Sequence, residues 1–436
     1  MYKRYIAYAI TSILSLFLLM FIYQYYISPI YNYNVESFGR YAYKLGNLSE
    51  IKTILSMVVL FVVVTTLPKN IFKPSDFIIV LYYNVVVIPY MALFALDLFG
   101  GLSSFIAILS FIFFHSFYYV IFLYNEKIET ISVHKDKTLY YEKIFFISIL
   151  AFILIFSLVM KFGLSTSVSS LLDVYTQRAI FNNSSFIYQI IFSFLSFGVA
   201  LYFIYLFQLK SSILLFIVVV FISLIIFLFT GSKMVFMGLL LTLLLSIIMQ
   251  RPIQSYIITI SIIFIFLMSI FLFEAFNNDL LLSLFVRRTF VLVSQICGIY
   301  FEHFTIYPYS YLAKYLHFIF DLPNSVSISN EIGSTYFLDS THANSGIVSD
   351  AYGNFGLIGV FIYTTIMFIV FKILNRLNTI YSFNITPLFF IFGISLANSS
   401  MLAVILYQIF PFIIIFISIK KLSDITLIYQ EKGKLK

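Results

Sequence analysis

The sequence predicts an all-α polytopic membrane protein of about 12 transmembrane helices. Three observations carry that prediction. The 436-residue chain is 62% hydrophobic with a mean hydropathy of +1.03. Only 10% of its residues are charged, against about 25% in an ordinary soluble domain. Apolar runs near the ~20 residues needed to cross a bilayer recur along its whole length. A soluble globule of this composition would have to place its apolar surplus on its surface, which excludes a soluble enzyme, a nucleic-acid binder and a disordered scaffold. Residues 1–436 therefore read as a single integral membrane domain.

The spans follow in order from the apolar runs and the basic residues that punctuate them. The first, 5–27, opens behind Lys3 and Arg4. It is long and aromatic and lacks a small-residue cleavage pattern, so it reads as an anchor and not as a cleavable signal peptide. Spans 51–67 and 77–96 flank Lys69 and Lys73. Span 102–124 ends at a charged connection from Asn125 to Lys143, and 144–160 follows it. Spans 187–208, 213–229, 234–249 and 255–273 are separated by short connections that hold Lys210, Lys233 and Arg251. Span 357–374 runs into Lys372 and Arg376. The last apolar run, Pro387 to Ile419, is too long for one crossing, so a break at Ala397 to Met401 divides it into 385–398 and 401–419.

Orientation follows from the basic residues. With the N-terminus cytoplasmic, the inner segments hold 17 of the 26 Lys and Arg residues and sum to +10, while the outer side sums to −2. That is the bias of a plasma-membrane protein with both termini in the cytoplasm. The overall charge of +8 is thus a topology signal, and no nucleic-acid partner is implied. The single cysteine, Cys297, excludes an intrachain disulfide and reads as a small apolar filler.

Three outer segments stand out: 28–50, 161–186 and the much larger 274–356. The last carries His303, His317 and His342, and the helical periodicity of "RRTFVLVSQICGIYFEHF" argues that it is ordered and partly helical. The spans themselves hold few ionisable residues. His115, with Asn84 in the neighbouring span, reads as a packed histidine bonded to an adjacent helix. Cations do gather on the outer side: Arg178 in "DVYTQRAIF", Lys233 in "TGSK", and Arg287 and Arg288 at the start of the large segment. Arginine forks match phosphate oxygens bidentately, so an anionic ligand at that surface would account for them; snorkelling toward water would account for any one alone. The segment closes in "THANSGIVSDAYGNFGLIGVFIY", where Gly346, Gly353, Gly356 and Gly359 permit close backbone packing and His342, Asp350 and Asn354 are the polar groups. Glu331 and Asp339 lie just upstream; Asp339 and His342 would share one face of a helix. No metal-ligand spacing occurs, so neither a metal nor a cofactor is implied.

These patterns in this order resemble the Wzy-type polymerases of bacterial O-antigen and capsule repeat units and, more distantly, the O-antigen ligases of the same superfamily. "DVYTQR" is similar to that family's Tyr-x-x-Arg segment through Tyr175 and Arg178. "TGSK" resembles its Thr-Gly-Ser-Arg turn, with Lys233 keeping the charge and losing the fork. "VRRTF" followed by "YFEHF" resembles the start of its large loop, and "HANSG…AYGNFGLIG" the loop's closing segment. The resemblance implies a GT-C-like membrane glycosyltransferase that joins undecaprenyl-pyrophosphate-linked oligosaccharides at the outer face of the bacterial plasma membrane, with a chain-length regulator as a further partner. It also implies roles: Arg287 and Arg288 at the leaving pyrophosphate, His342 as base for the acceptor hydroxyl with Asp350 or Glu331 as the alternative base, and Arg178, Lys233, Tyr175, Asp350 and Asn354 in substrate binding. The absence of Trp beside 54 Phe and 34 Tyr reads as A+T-rich coding bias, in keeping with a bacterial source.

Three rival functions are separable on the same sequence. A ligase shares the fold, the large loop and a loop histidine. A lipid-linked oligosaccharide flippase would place cations in a central cavity and lack a dominant outer segment. A secondary transporter would need intramembrane ionisable groups. The orientation is testable at once: reporter fusions after Ser75 and Lys210 should report cytoplasm and fusions near Ser184 and Asn324 the outside, and a cytoplasmic Asn324 would overturn the scheme.

Overall fold

The computed structural model describes residues 2–32, 43–123, 140–162, 181, 184–249, 251–307, 309–312, 327–337, 342–381 and 384–420. It is an all-α, multi-pass membrane fold with ten helices long and apolar enough to cross a bilayer. In chain order the helices are α1 Arg4–Tyr31, α2 Glu50–Thr66, α3 Pro74–Ala95, α4 Gly101–Phe122, α5 Lys143–Phe162, α6 Phe186–Lys210, α7 Ile213–Thr230, α8 Lys233–Ile248 and α9 Ser255–Phe276. They continue as α10 Leu282–Ile306, α11 Ile328–Tyr336, α12 Ile347–Ile380, α13 Thr386–Asn398 and α14 Met401–Lys420.

All twelve expected spans coincide with a helix. Three of them, α2, α8 and α13, are shorter than the rest, and at about 1.5 Å of rise per residue they reach well under the ~30 Å of a hydrocarbon core. The tenth long helix, α10, lies inside the segment expected to stay outside. The expected break in the last apolar run falls at Ser399 and Ser400, and Phe389 and Phe392 of one arm pack on Phe412 of the other with ring centroids 5.0 and 5.6 Å apart.

The chain forms two compact units. The first comprises residues 1–128, 252–373 and 393–401. Its centre is α3, in which every residue is buried. A helix that is apolar all round belongs in the middle of a bundle, and its few polar groups are matched by its neighbours. Asp76 caps its first turn, accepting from the backbone N–H of Phe72 and Lys73 at 3.0 and 3.1 Å and from the Tyr118 hydroxyl of α4 at 2.6 Å. Thr259 of α9 donates to Asn84 Oδ1 at 2.8 Å. Ser56 of α2 and Ser294 of α10 each donate to an α3 carbonyl, Met91 and Val86, at 3.1 Å. Two short strands, β1 Asn70–Ile71 and β2 Ile253–Gln254, pair antiparallel and fix the α2–α3 and α8–α9 connections to the same end of this unit.

At its opposite end stand Tyr31, residues 43–49 and residues 96–100; this is the outer end in the orientation expected from the charge bias. There Lys52 at the start of α2 pairs with Asp97 and donates to the Phe99 carbonyl at 2.6 Å. The start of α10 meets this same end, where Arg287 lies over the Tyr31 ring. Further along, Ser294 reaches Val86, the Phe99 ring packs on Gly298, and Phe304 packs on Gly353. The helix is continuous from Leu282 to Ile306, and its length and apolarity reflect burial against α3 and α4. Next, α12 begins at Ile347 and is interrupted at Phe355 and Gly356, the latter at φ 62°, ψ −146°. The expected span from residue 357 starts at this break. Asn354 holds it: its Oδ1 accepts from the Leu312 N–H at 3.0 Å, while its carbonyl accepts from Tyr311 N–H at 3.0 Å.

The second unit comprises residues 129–251, 374–392 and 402–436. Tight turns join its helices. Ser211 closes α6 at φ 49°, and Gly231 closes α7 at φ 60°. Tyr381 donates to the Phe416 carbonyl, and its ring stands edge-on to Tyr205 with centroids 5.0 Å apart.

Close packing at the outer end is measurable. A Cβ on Gly346 would meet the Ala397 carbonyl oxygen at 2.8 Å and that of Leu396 at 3.2 Å, backbone atoms that do not yield easily. Gly346→Ala should therefore destabilise the protein by about 1–3 kcal/mol, the usual cost of overpacking. Gly100→Ala, which would meet only the Lys52 ammonium at 3.4 Å, should not. Thermal melts of the two detergent-purified variants make the comparison.

Candidate functional site

Arg287 is the unusual residue of the outer end. It sits on the first part of α10, where Leu282–Val291 is wound as a π-helix. This geometry is rare in proteins and recurs at functional sites. The residue is 7% exposed. One guanidinium nitrogen donates to Ser283 Oγ at 2.9 Å, four residues back. The guanidinium carbon lies 4.3 Å from the Tyr31 ring centroid and 5.9 Å from that of Tyr43, and such contacts hold a cation by the ring quadrupole. Its Nε has no hydrogen-bond partner, and no carboxylate lies within ion-pair distance of it among the described residues. The nearby acid Asp279 is engaged instead by the Tyr31 hydroxyl at 2.9 Å. Burial pushes the Tyr43 hydroxyl above its ordinary range while Arg287 pulls it the other way, so the aromatic wall is neutral. Arg287 is thus a buried, oriented cation without a counter-ion among the described residues, the electrostatic complement of an anion.

A second group lies further along α10 and was not foreseen as a unit. His303, 3% exposed, has its Nδ1 3.0 Å from the Tyr336 hydroxyl and its Nε2 3.2 Å from Glu331 Oε1. The ring stacks on Tyr307 with centroids 4.5 Å apart and an interplanar angle of 25°. The sequence marks His303 only as a loop histidine and Glu331 only as an alternative base. A pairing across 28 positions leaves no local trace in the sequence.

The other expected site residues separate. Arg288 is exposed beside the buried Arg287, because neighbouring residues on a helix point to different sides. His342 is exposed and lies in a non-helical stretch, so the helical face it would share with Asp339 is not formed there; Asp339 itself lies outside the described residues. Tyr175 and Arg178 also lie outside the described residues. Lys233 is exposed and opens α8 directly after the two-residue turn of Gly231 and Ser232. Asp350 and Asn354 are buried. Asp350 accepts from the Met401 N–H at 3.3 Å, and Asn354 donates to the Asp350 carbonyl at 2.9 Å while bracing residues 311 and 312. Both groups are committed to holding the start of α12. Cys297 is fully buried. His115 differs from expectation: Nδ1 bonds the Phe111 carbonyl of its own helix at 2.8 Å, and Nε2 has no partner. No group of three or more His, Cys, Asp or Glu residues able to hold a metal occurs among the described residues.

Comparison with protein-family models, with curated proteins and with solved structures gives no match to this chain.

A buried charge lacking a counter-ion is expensive. Arg287→Met should accordingly leave the melting temperature of the ligand-free protein unchanged or raise it. A clear fall would instead mean that the Tyr31 and Ser283 contacts make Arg287 a net contributor to the fold.

Proposed function

We propose that the chain is a membrane glycosyltransferase that joins undecaprenyl-pyrophosphate-linked oligosaccharide repeat units at the outer face of the bacterial plasma membrane, with both termini cytoplasmic. The observation that carries this reading is Arg287, a 7%-exposed guanidinium held by Tyr31, Tyr43 and Ser283 with no counter-ion among the described residues. The reaction needs such a group. When the anomeric carbon–oxygen bond of the donor breaks, negative charge develops on a lipid pyrophosphate, and a cation fixed in advance stabilises that charge without reorganising. A site where the start of α10 meets the end of α1 suits a substrate whose lipid tail lies among the helices and whose sugars lie outside. The order of "VRRTF" before "HANSG…AYGNFG" along the same outer segment supports the same family reading. Arg288, exposed beside Arg287, extends the positive surface toward water, and Lys233 and Arg178 belong to the site by the sequence pattern alone.

Deleting the gene should leave surface glycan one repeat unit long while transfer to the final acceptor continues. Restoring the chain with Arg287→Ala should fail to rebuild long glycan, because losing a preorganised donor costs at least ~2–3 kcal/mol in the transition state. Arg287→Lys should rebuild it poorly, since the charge stays and the fork is lost. Long glycan held on the lipid carrier would point to a ligase, and loss of all surface glycan with single units on the inner leaflet to a flippase.

A further inference from the structure

We propose that Tyr31 is a positioning residue of the anion site, whose hydroxyl restrains Asp279 and so keeps the Arg287 guanidinium open to a lipid pyrophosphate. This rests on reading Arg287 as the pyrophosphate ligand and adds what holds that cation available.

Arg287 has an acid on its own side of the helix. The Ser283 N–H donates to the Asp279 carbonyl at 2.7 Å, and the Arg287 guanidinium donates to Ser283 Oγ at 2.9 Å. Residues 279, 283 and 287 therefore follow one another along one side at the start of α10, four positions apart. An acid and an arginine so placed attract each other, directly or through the serine between them. Asp279 and Arg287 nevertheless form no ion pair.

One side chain holds them apart. Tyr31, the last residue of α1 and itself buried, donates its hydroxyl proton to Asp279 Oδ2 at 2.9 Å. Its ring lies against the guanidinium, whose carbon is 4.3 Å from the ring centroid. The two contacts use different parts of the phenol and so coexist: the oxygen at the rim takes the carboxylate, and the π face takes the cation. A phenol has one proton to give, and giving it to Asp279 fixes the direction of both groups. The ring is held in turn. Ser28, three residues earlier on α1, donates to the Tyr43 carbonyl at 2.7 Å, and the Tyr43 ring meets that of Tyr31 at 61° with centroids 6.3 Å apart.

The charges explain why the restraint matters. Arg287 is buried and Asp279 is exposed. A carboxylate turned inward would give the buried cation the counter-ion that its burial calls for, and an incoming pyrophosphate would have to displace it. With Asp279 satisfied by the hydroxyl, the guanidinium Nε stays without a partner. Phenylalanine at position 31 would keep the contact with the cation and lose the restraint.

The test uses the full chain purified in detergent and titrated calorimetrically with farnesyl pyrophosphate, a soluble prenyl pyrophosphate that carries the headgroup without the sugars. The unaltered protein should bind it and Arg287→Met should not. Tyr31→Phe should weaken binding about 10- to 100-fold, the scale of a hydrogen bond to a charged group. Combining Tyr31→Phe with Asp279→Asn should return the affinity nearly to that of the unaltered protein, because the competing charge is gone. Undiminished binding by Tyr31→Phe would overturn the role given to Tyr31 and leave the Arg287 reading standing. So would a loss that Asp279→Asn does not repair, the result expected of a hydroxyl that only supports the fold or only touches the ligand. No binding by the unaltered protein, or equal binding by Arg287→Met, would overturn both.

Discussion

The first unit is built around a helix that shows no face to the outside. Because all of α3 is buried, each neighbour has to come to it, and each brings a polar contact: Tyr118 from α4, Thr259 from α9, Ser56 from α2 and Ser294 from α10. Apolar packing gives little direction inside a membrane, where lipid tails are as apolar as Leu, whereas a hydrogen bond to a fixed carbonyl or amide specifies one rotation and one height. The contact from Ser294 ties the middle of α10 to Val86, and the same helix carries Arg287 near its start and His303 near its finish.

That arrangement separates two kinds of environment along a single element. Around Arg287 the walls are neutral rings and a serine hydroxyl, and the cation has no counter-ion among the described residues. Around His303 both ring nitrogens are answered, by Tyr336 and Glu331, and the carboxylate is the part-exposed member of the pair. In each case rigid aromatic contacts do the orienting, which suits positions that have to stay fixed while substrates exchange.

The sequence carried the helices well and their paths poorly. Apolar runs and basic punctuation located twelve helices, the break at Ser399 and the restart after Gly356, because these depend on composition and on local backbone freedom. Hydropathy says nothing of position, so α10 reads as ordered and helical without any sign that it packs against α3 and α4. The π-winding of Leu282–Val291 leaves no mark in residue types either, and adjacency gave no means of telling the buried Arg287 from the exposed Arg288. The pairing of His303 with Glu331 is a tertiary fact. The weight placed on His342 came from its motif, and its exposed, non-helical setting gives it no described side-chain partner.

The close seat of Gly346 on Ala397 and the bond from Met401 N–H to Asp350 bear on how the protein is made. The outer segment leaves the ribosome well before the final helical hairpin, yet the start of α12 rests on that hairpin's tip. Until the last two helices have been inserted, Gly346 and Asp350 have nothing to close against. Assembly around the start of α12 thereby waits for insertion of α13 and α14, and a chain cut short before that hairpin would lack the support on which the start of α12 rests.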